Sequence, residues 1–321
     1  MPATSPPIDI HDVNRRYHDV AADDYDSKWN IDFGPNGQRQ VLAKLGKALG
    51  PAPLRFERSL EIGAGTGYFT LNMLQAGLLG SAVCSDISPG MLEALTANAA
   101  RLSLKVETVA ARADALPFAD NSFDLVFGHA VLHHLPSLDR SFDELQRVLR
   151  PGGRLLFAGE PSRAGNRLAA IPKRAGLAAA PLWRRLVNAR ARSEGASQGR
   201  DVQDDGDGRD GDDALESLVD VHAFMPDELA ALATRAGLEA VGVRGEELFA
   251  SWFGWFNRTL EATANPADVP WLWRQYAYRG YLVLKQIDGR LLERLLPPAV
   301  FYNLIVVAQK PSASARFHRR A

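Results

Sequence analysis

The sequence predicts an α/β fold in which helices cover both faces of a doubly wound, mostly parallel sheet. Between residues 55 and 160, short apolar runs of strand length alternate with helical segments of about a dozen residues. The first of these runs leads into a glycine-rich turn at 63–67, directly before a helical pattern. Because helices join the strands through right-handed crossovers, the carboxyl ends of the strands should meet at one edge of the sheet.

The individual elements follow from hydrophobic spacing. One or two short helices are predicted within 9–30, and a helix over 38–49, where Val41, Leu45 and Leu49 share one face. Strands are predicted at 59–62, 82–85, 104–109, 123–127 and 154–158, with helices at 68–75, 88–100 and 137–149 between them. A helix at 226–236, a strand at 238–244, an aromatic helical stretch at 252–296 and a last strand at 301–309 complete the series.

Composition excludes several classes of protein. The 37 Lys and Arg residues balance 38 Asp and Glu residues, so we expect no nucleic-acid partner held by phosphate neutralisation. With Cys84 as the only cysteine, neither an intramolecular disulfide nor a cysteine-rich zinc site can form, and we predict no metal site. The N-terminus lacks a signal-peptide pattern, and no 18 consecutive residues are apolar, so we expect a cytoplasmic protein without a membrane span.

The glycine-rich turn is the segment with the clearest chemical meaning. Glu61 precedes three glycines at alternate positions, Gly63, Gly65 and Gly67, and a helix begins at Tyr68. Glycine lets the backbone approach a ligand closely, and a helix N-terminus suits an anionic group. Asp86 ends the second strand, where a carboxylate can accept hydrogen bonds from the hydroxyls of a ribose. The pattern therefore predicts a ligand that contains a nucleoside.

Two ligand classes compete for this turn. A nicotinamide or flavin dinucleotide prefers G-x-G-x-x-G, which would need a small residue where Tyr68 stands. The observed G-x-G-x-G spacing resembles motif I of the class I S-adenosylmethionine-dependent methyltransferases. Further segments resemble this family in the same order: Asp114-Ala115, Phe123-Asp124-Leu125-Val126 and 147–153. Residues 131–135, Val-Leu-His-His-Leu, resemble its small-molecule branch, which includes the quinone C-methyltransferases.

This resemblance covers residues 55–160 well and 224–310 in outline. It implies a Rossmann-like, doubly wound, mostly parallel seven-stranded sheet with an antiparallel last strand and helical cap insertions, and S-adenosyl-L-methionine as the cofactor. In the family the glycines wrap the methionine part, Glu61 lies near its amino group, Asp86 binds the ribose, and Asp114 binds the adenine amino group. The residues that we expect to bind the cofactor are Glu61, Gly63, Ala64, Gly65, Gly67, Asp86, Ile87, Ala113, Asp114, Ala115 and His129.

Catalytic candidates follow the fourth and fifth strands. His129, His133 and His134 stand where parallel sheets bind ligands, and a neutral imidazole there can remove a proton from a hydroxyl or a carbon acid. Glu160, at the end of the fifth strand, is the other candidate base or acceptor-orienting group. The alternative for each histidine is a hydrogen-bonded residue that shapes the loop.

Aromatic residues predict walls for a large apolar acceptor. Tyr17, Tyr25 and Trp29 would close the pocket from the N-terminal side, and Trp252 and Trp255 from the C-terminal side. A helical cap that uses its aromatics as its own core explains the C-terminal pair equally well.

The chain divides into five segments on these patterns. We predict an N-terminal helical segment covering the pocket (1–50), a cofactor-binding half (51–160), a partly disordered insert (161–223), the C-terminal part of the sheet with an aromatic insert at about 250–298 (224–310), and a tail (311–321). Residues 163–192 hold eight basic residues and no acidic one, whereas 201–213 hold seven aspartates without the spacing of a calcium loop. A lid helix paired with this acidic run is favoured, and peripheral contact of 163–192 with an anionic membrane is the alternative.

These inferences predict a methyltransferase that acts on an oxygen or carbon atom, less readily nitrogen, of a small apolar, aromatic or lipid-like molecule. The absence of a D/N-P-P-Y tetrapeptide after the fourth strand disfavours amino-group acceptors in nucleic acids and glutamine. Two alternatives remain: an NAD(P)-dependent oxidoreductase of Rossmann type, and a non-catalytic protein that binds the cofactor or a membrane surface.

Overall fold

A computed structural model describes residues 10–22, 25–28, 31–50, 55–192 and 222–312. Seven strands form one sheet in the order β3-β2-β1-β4-β5-β7-β6. Their bounds are β1 (Phe56–Ile62), β2 (Leu79–Asp86), β3 (Glu107–Ala110), β4 (Phe123–His129), β5 (Leu149–Pro161), β6 (Glu239–Glu246) and β7 (Asn303–Gln309). Strands β1 to β5 pair in parallel, and β7 runs antiparallel to β5 and β6. The predicted doubly wound sheet with an antiparallel last strand is confirmed.

All seven strands differ by a few residues from their predicted bounds, and the starts of β3 and β5 show why. Strand β3 begins at Glu107, not at 104, because only residues 107–110 have partners on β2. Strand β5 begins at Leu149, not at 154, because Leu149 already pairs with Phe123. The register shift that follows accommodates Gly152, whose φ of +79° lies in the left-handed region that favours glycine. The Pro-Gly-Gly turn predicted at 151–153 is thus an irregularity inside a strand.

The helices connect these strands. Their bounds are α1 (Ile10–Ala21), α2 (Tyr25–Lys28), α3 (Pro35–Leu49), α4 (Tyr68–Gln75), α5 (Pro89–Arg101), α6 (Leu138–Val148), α7 (Arg163–Val187), α8 (Pro226–Arg235), α9 (Phe249–Ala262), α10 (Trp271–Ile287) and α11 (Glu293–Leu295). Ser88 caps α5, because its hydroxyl accepts a hydrogen bond from the Met91 amide at 3.1 Å. The cap fixes the chain direction directly after Asp86.

The core has a layer on each face of the sheet because neighbouring residues of a strand point to opposite faces. Val126 packs in the layer that includes Phe142 of α6 and Leu229 of α8. Phe127, the next residue, packs in the layer that includes Val41 of α3 and Phe69 of α4. The sheet is therefore covered on both sides, and ligands can reach it only at the strand ends.

A separate apolar cluster lies in the helical cap. Trp183 of α7 and Leu260 of α9 belong to it, together with Val269. Helices α7 and α9 approach closely at Gly176, where a Cβ would stand 2.9 Å from the Thr259 Cβ. The basic segment predicted as a helix is thus helical at 163–187, while its proposed partner, the acidic run at 201–213, lies outside the described residues.

Across the ranges that the structure describes, no helix combines the length and the apolar character needed to cross a bilayer.

Candidate functional site

A cavity opens at the carboxyl edge of the sheet, where the glycine turn and the ends of β2 and β4 meet. Its space, counted out to the open mouth, is about 810 Å³. Helices α1 and α2 lie over it and contribute four side chains, His11, Asn14, His18 and Tyr25. The sequence-predicted residues that line the cavity are Tyr25, Gly63, Gly65, Asp86, Ile87, Ala113, Asp114, His129 and His134.

Each glycine of the turn meets a different steric demand. At Gly63 (φ +62°) a Cβ would stand 2.4 Å from a methyl carbon of Val131, so this glycine permits close packing. At Gly67 (φ +91°) a Cβ would stand 2.9 Å from Leu95. At Gly65 (φ +50°) the nearest atom to a Cβ is a ring carbon of Tyr25, 4.0 Å away. Only Gly65 therefore leaves space for a ligand instead of for the protein itself.

Three amides of this turn, those of Ala64, Gly65 and Gly67, are hydrogen-bonded within the protein. Gly65 donates to Asp86 Oδ2 at 2.9 Å, Gly67 donates to the Ala64 carbonyl at 2.9 Å, and Ala64 donates to the Ser85 carbonyl at 3.0 Å. A pyrophosphate needs free N–H groups of this kind. These three amides are not available to a pyrophosphate, and this disfavours a dinucleotide at the turn.

The side chain of Glu61 is hydrogen-bonded to the first turn of α4. It is buried, and one carboxylate oxygen accepts hydrogen bonds from the amide and the hydroxyl of Thr70. Burial raises the pKa of Glu61 to about 8. The hydrogen bonds from Thr70 act to lower this pKa, whereas the nearby Asp86 acts to raise it. Glu61 does not line the cavity, so the predicted contact with a ligand amino group is not supported by its placement.

This burial has a measurable consequence for stability. Since the pKa of Glu61 is about 8 in the folded protein and 4.5 ordinarily, the unfolded chain releases its proton first as pH rises. We expect the free energy of unfolding to fall by a few kcal/mol between pH 4.5 and about 8, and Glu61→Gln to remove most of this decline. Urea unfolding at several pH values tests this, with the exposed Glu93→Gln as the control. Equal declines in wild type and Glu61→Gln would contradict the assignment.

Two buried hydrogen-bond acceptors lie among the polar groups that line the cavity. The buried carboxylate of Asp86 lies there, tied to the Ser88 amide at 2.9 Å through its other oxygen. Asn14 is also buried; its Nδ2 donates to the His134 carbonyl at 3.1 Å, while its Oδ1 has no hydrogen-bond partner among the described residues. Such a set fits a ligand rich in donors, such as ribose hydroxyls and an exocyclic amine, and a positive charge.

Asp114 is a third carboxylate at the cavity, and it is already paired. Its oxygens accept two hydrogen bonds from Arg112, at 2.9 and 2.8 Å, which lower the pKa of Asp114. Ala113 lines the cavity beside it, whereas Ala115 turns away and donates to the Arg112 carbonyl at 3.2 Å. Ala64 and Gly67 likewise serve the turn without lining the cavity.

Helices α1 and α2 form the roof of the cavity. Two aspartates that were not predicted from the sequence attach this roof to the rest of the protein. Asp26 of α2 accepts hydrogen bonds from the Thr66 hydroxyl and, at 3.1 Å, from Asn98 of α5. Asp19 of α1 accepts from the Ser88 hydroxyl at 2.6 Å and the Gly90 amide at 3.2 Å. The N-terminal helices are therefore bound to the glycine turn and to the first turn of α5.

Three residues of α1 that line the cavity, His11, Asn14 and His18, were not predicted, because they belong to no aromatic pattern. They are spaced i, i+3 and i+7, so they share one face of α1. This shared polar face is the feature of the sequence that could have identified them. His18 contacts His134 edge to face at 5.5 Å, and burial together with His134 and His133 lowers its pKa to about 3. His18 is thus a neutral imidazole at physiological pH.

Glu160 is fully buried and does not line the cavity. It accepts hydrogen bonds from the amides of Val131, Leu132 and His133 at 3.0, 3.0 and 3.1 Å, and contacts His133 Nδ1 at 2.8 Å. Burial alone would raise the pKa of Glu160, but these bonds lower it. Glu160 thus holds the loop after β4 in place, which corrects its prediction as a base that meets the acceptor.

The three sequence-predicted histidines have distinct surroundings. His133 is buried against Glu160, and its ring lies 3.9 Å from that of His134, which lines the cavity. His129 also lines the cavity and stacks on Phe69 at 4.7 Å. The structure therefore brings His129 and His134 to the cavity and keeps His133 behind them.

Most of the predicted aromatic walls lie elsewhere. Tyr17 is buried against His18, Trp252 packs on Phe249, and Trp255 packs on Tyr302 with the Lys173 ammonium 3.8 Å from its ring. Of these contacts, the one between Lys173 and Trp255 joins two helices, α7 and α9, whereas Trp252 contacts its own helix. Trp29 lies outside the described residues, and Tyr25 alone of the five lines the cavity.

A Tyr-x-x-x-Lys pair, the spacing of some nicotinamide-dependent oxidoreductases, stands at Tyr281 and Lys285 in α10. Both contact Glu247: the Tyr281 hydroxyl donates at 2.9 Å and the Lys285 ammonium lies at 2.7 Å. Burial and Glu247 raise the pKa of Tyr281 well above 10, opposite to what a proton donor in such chemistry needs. Neither residue lines the cavity, so the pair does not support an oxidoreductase.

Comparison with known proteins agrees with this geometry. Residues 60–157 match a family model described as a methyltransferase domain. The chain is 35% identical over 144 residues to a malonyl-[acyl-carrier protein] O-methyltransferase of Halorhodospira halophila, covering 45% of this chain and 46% of that protein. It is 34% identical over 163 residues to the protein of that name from Methylococcus capsulatus, covering 46% and 58%. The chain thus spans about half the length of these relatives.

Solved structures share the fold at low identity. Phosphoethanolamine N-methyltransferase 2 of Haemonchus contortus, in complex with S-adenosylhomocysteine, superposes with a TM-score of 0.58 at 18% identity, covering 95% of this chain and 61% of that one. The [4+2]-cyclase SpnF superposes with a TM-score of 0.56 at 16% identity, covering 97% and 100%. Because the second is a cyclase, the shared fold does not by itself determine the reaction.

Proposed function

Because residues 60–157 match a methyltransferase domain, we propose that this chain transfers a methyl group from S-adenosyl-L-methionine to a small molecule. The observation that carries the proposal is the character of the cavity. It presents buried acceptors, Asp86 and Asn14 Oδ1, beside the open space at Gly65, while three amides of the turn are internally bonded. This arrangement supports a nucleoside with a cationic centre over an anionic dinucleotide.

The residues have separable tasks under this proposal. Asp86 and Asn14 would hold donor groups of the nucleoside, and Ile87 and Met91 would supply apolar contact. S-adenosyl-L-methionine, when bound, supplies an electrophilic methyl group, so the protein must exclude water and orient the acceptor. The roof formed by α1 and α2 serves the first task, and the edge of the cavity at His129 and His134 serves the second.

Proton removal falls to His134 in this scheme. It lines the cavity, while its neighbour His133 is held by Glu160 at 2.8 Å and would position it. His18, with a pKa of about 3, would stay neutral and pack against the His134 ring. An acceptor hydroxyl or carbon acid needs such a base, whereas a carboxylate acceptor needs none.

We propose an oxygen or carbon atom of a small apolar, aromatic or acyl molecule as the acceptor. The two relatives are malonyl-[acyl-carrier protein] O-methyltransferases, which makes a malonyl thioester the first compound to test. A labelled methyl group from S-adenosyl-L-methionine should appear in such a thioester or in an aromatic hydroxyl compound. Transfer only to amines would contradict the proposed acceptor class while leaving methyl transfer intact.

Calorimetry tests the cofactor directly. Saturable binding of S-adenosylmethionine and S-adenosylhomocysteine is expected, with none for NADH. Asp86→Asn should weaken binding by about 10- to 100-fold, since an uncharged amide holds hydroxyl donors less firmly. The exposed Asp139→Asn, at a residue that does not line the cavity, serves as the matched control. Binding of NADH alone would overturn the proposal.

A second proposal concerns peripheral contact of α7 with an anionic membrane. Arg167, Arg174 and Arg185 lie exposed on the same helical face as Ile171 and Leu182, which are 54% and 63% exposed. Among the described residues none of the three arginines forms an ion pair. A basic row beside exposed apolar side chains supports a helix that lies on an anionic lipid surface.

Vesicle sedimentation tests this contact. Replacing Arg167, Arg174 and Arg185 by Gln should weaken binding to vesicles with anionic phosphatidylglycerol by about 100-fold, at about 1 kcal/mol for each charge. Arg101, Arg150 and Arg235, changed together to Gln, are the control for net charge. No binding by wild type would favour the alternative, in which the acidic run 201–213 neutralises α7.

A further inference from the structure

His129 and Lys44 form a contact that joins the cavity to a buried ionic cluster. His129 ends β4, lines the cavity and stacks on Phe69. Its Nε2 lies 3.4 Å from the Nζ atom of Lys44, which is on α3. Gly159 of β5 keeps this approach open, since a Cβ there would stand 2.7 Å from Nε2. The imidazole is therefore fixed by three elements.

Lys44 is held as a cation. It is only 8% exposed, and its Nζ lies 2.9 Å from a carboxylate oxygen of Glu246, which is 1% exposed. Burial alone would lower the pKa of Lys44, but Glu246 more than offsets this and the pKa is raised. Lys47 lies 3.5 Å from the other oxygen of Glu246 and 2.8 Å from Glu293, so positive and negative charges alternate through the cluster.

The donors of the Lys44 ammonium determine which nitrogen of the His129 ring carries the proton. An ammonium group has three donors and no acceptor, so Nε2 of His129 must accept the hydrogen bond and the ring proton must be on Nδ1. Burial, followed by Lys44 and Lys285, lowers the pKa of His129 well below 6.5, while Glu247 acts in the opposite direction and His133 adds to the lowering. Among the described residues, no hydrogen bond reaches Nδ1.

We propose that Lys44 and Glu246 are positioning residues that hold His129 as the Nδ1–H tautomer, so that it donates a hydrogen bond to an oxygen atom of the methyl acceptor. The inference rests on the proposed methyl transfer for the identity of that ligand, but the tautomer itself does not depend on it. A donor at this place suits a carboxylate or carbonyl oxygen. It gives His129 a role other than the base that its position in the sequence suggested.

Nitrogen NMR of the ligand-free protein tests the tautomer. With histidine labelled by ¹⁵N, and His129 assigned by its loss in His129→Gln, we expect an unprotonated Nε2, a protonated Nδ1 and no titration near the ordinary imidazole pKa of 6.5. In Lys44→Met we expect a mixture of tautomers and a pKa of His129 that is higher than in wild type. A wild-type spectrum with Nε2 protonated would overturn the proposal, as would identical His129 signals in wild type and Lys44→Met.

Two further variants guard this test. Lys47→Met removes a lysine from the same helix and the same Glu246 without touching His129, so its His129 signals should match wild type. Lys44→Met/Glu246→Gln avoids an uncompensated buried charge if the single variant unfolds, and should shift His129 as Lys44→Met does. Because no cofactor is present, failure here would be distinct from failure to bind S-adenosylmethionine in calorimetry.

Discussion

Gly65→Ala should abolish cofactor binding while leaving a folded protein. A Cβ at this position enters the cavity beside the glycine turn, where the nearest protein atom is 4.0 Å away. The added methyl group therefore takes space that the ligand needs, without clashing with the protein. We expect binding of S-adenosylmethionine to weaken by at least about 100-fold, which corresponds to about 2.7 kcal/mol. Calorimetry of the variant measures this loss, and thermal unfolding measures the cost to the fold.

The matched control lies at the other end of α4. Gly77 also has a positive φ, +70° against +50° at Gly65, and a Cβ there meets no atom within 4 Å. Alanine in the left-handed region costs about 1–2 kcal/mol at either site, so both variants should unfold at similar temperatures. Only Gly65→Ala should lose the ligand. Full affinity in Gly65→Ala would show that the cofactor does not lie against this turn.

Glu160→Ala should be the most destabilising change among the site residues. It leaves three backbone amides and the His133 ring without their acceptor in the core. Loss of a buried charged acceptor of this kind costs about 3–5 kcal/mol. Chemical denaturation should show this loss near neutral pH, and cofactor binding should weaken too, because the loop after β4 lines the cavity.

The pH dependence of the stability distinguishes the role of the Glu160 carboxylate as an acceptor from a role in packing alone. Since the pKa of Glu160 is lowered in the folded protein, its stabilising effect exists above the ordinary value of 4.5 and disappears as pH falls through the folded value. The gap in stability between wild type and Glu160→Ala should therefore narrow in acid. Asp139→Ala, which breaks an exposed pair with Arg235, should change stability by less than about 0.5 kcal/mol. An equally small effect at Glu160 would refute the assignment.

Local patterns predicted the fold well because sheet strands and amphipathic helices repeat over short distances. Val41 and Leu45 lie on one turn of α3, and both are buried as their spacing predicts. The bounds of β5 were missed because pairing of Leu149 with Phe123 depends on a residue far away in sequence. Periodicity records which face is buried, and it does not record which partner covers that face.

The sequence predicted those residues of the candidate site that belong to a local motif lining the cavity. Gly65 and Asp86 line the cavity because the turn and the strand end are contiguous with their motifs. Asn14 and Lys44 could not be found this way, since helices α1 and α3 reach the cavity edge only after folding. Glu160 was placed at the correct strand end, but the direction of its side chain reversed its expected role.

Sequence patterns were sufficient to predict the parallel sheet, the glycine turn at the first strand and the acidic residue that ends the second. Each of these is written in residues close together along the chain, so hydrophobic spacing and glycine geometry suffice. The tertiary structure alone decided that the turn amides face Asp86 and Ala64, that Glu160 supports a loop, and that Lys44 meets His129. These outcomes depend on which donors and acceptors meet across distant elements, because a buried polar group takes whichever partner packing brings to it.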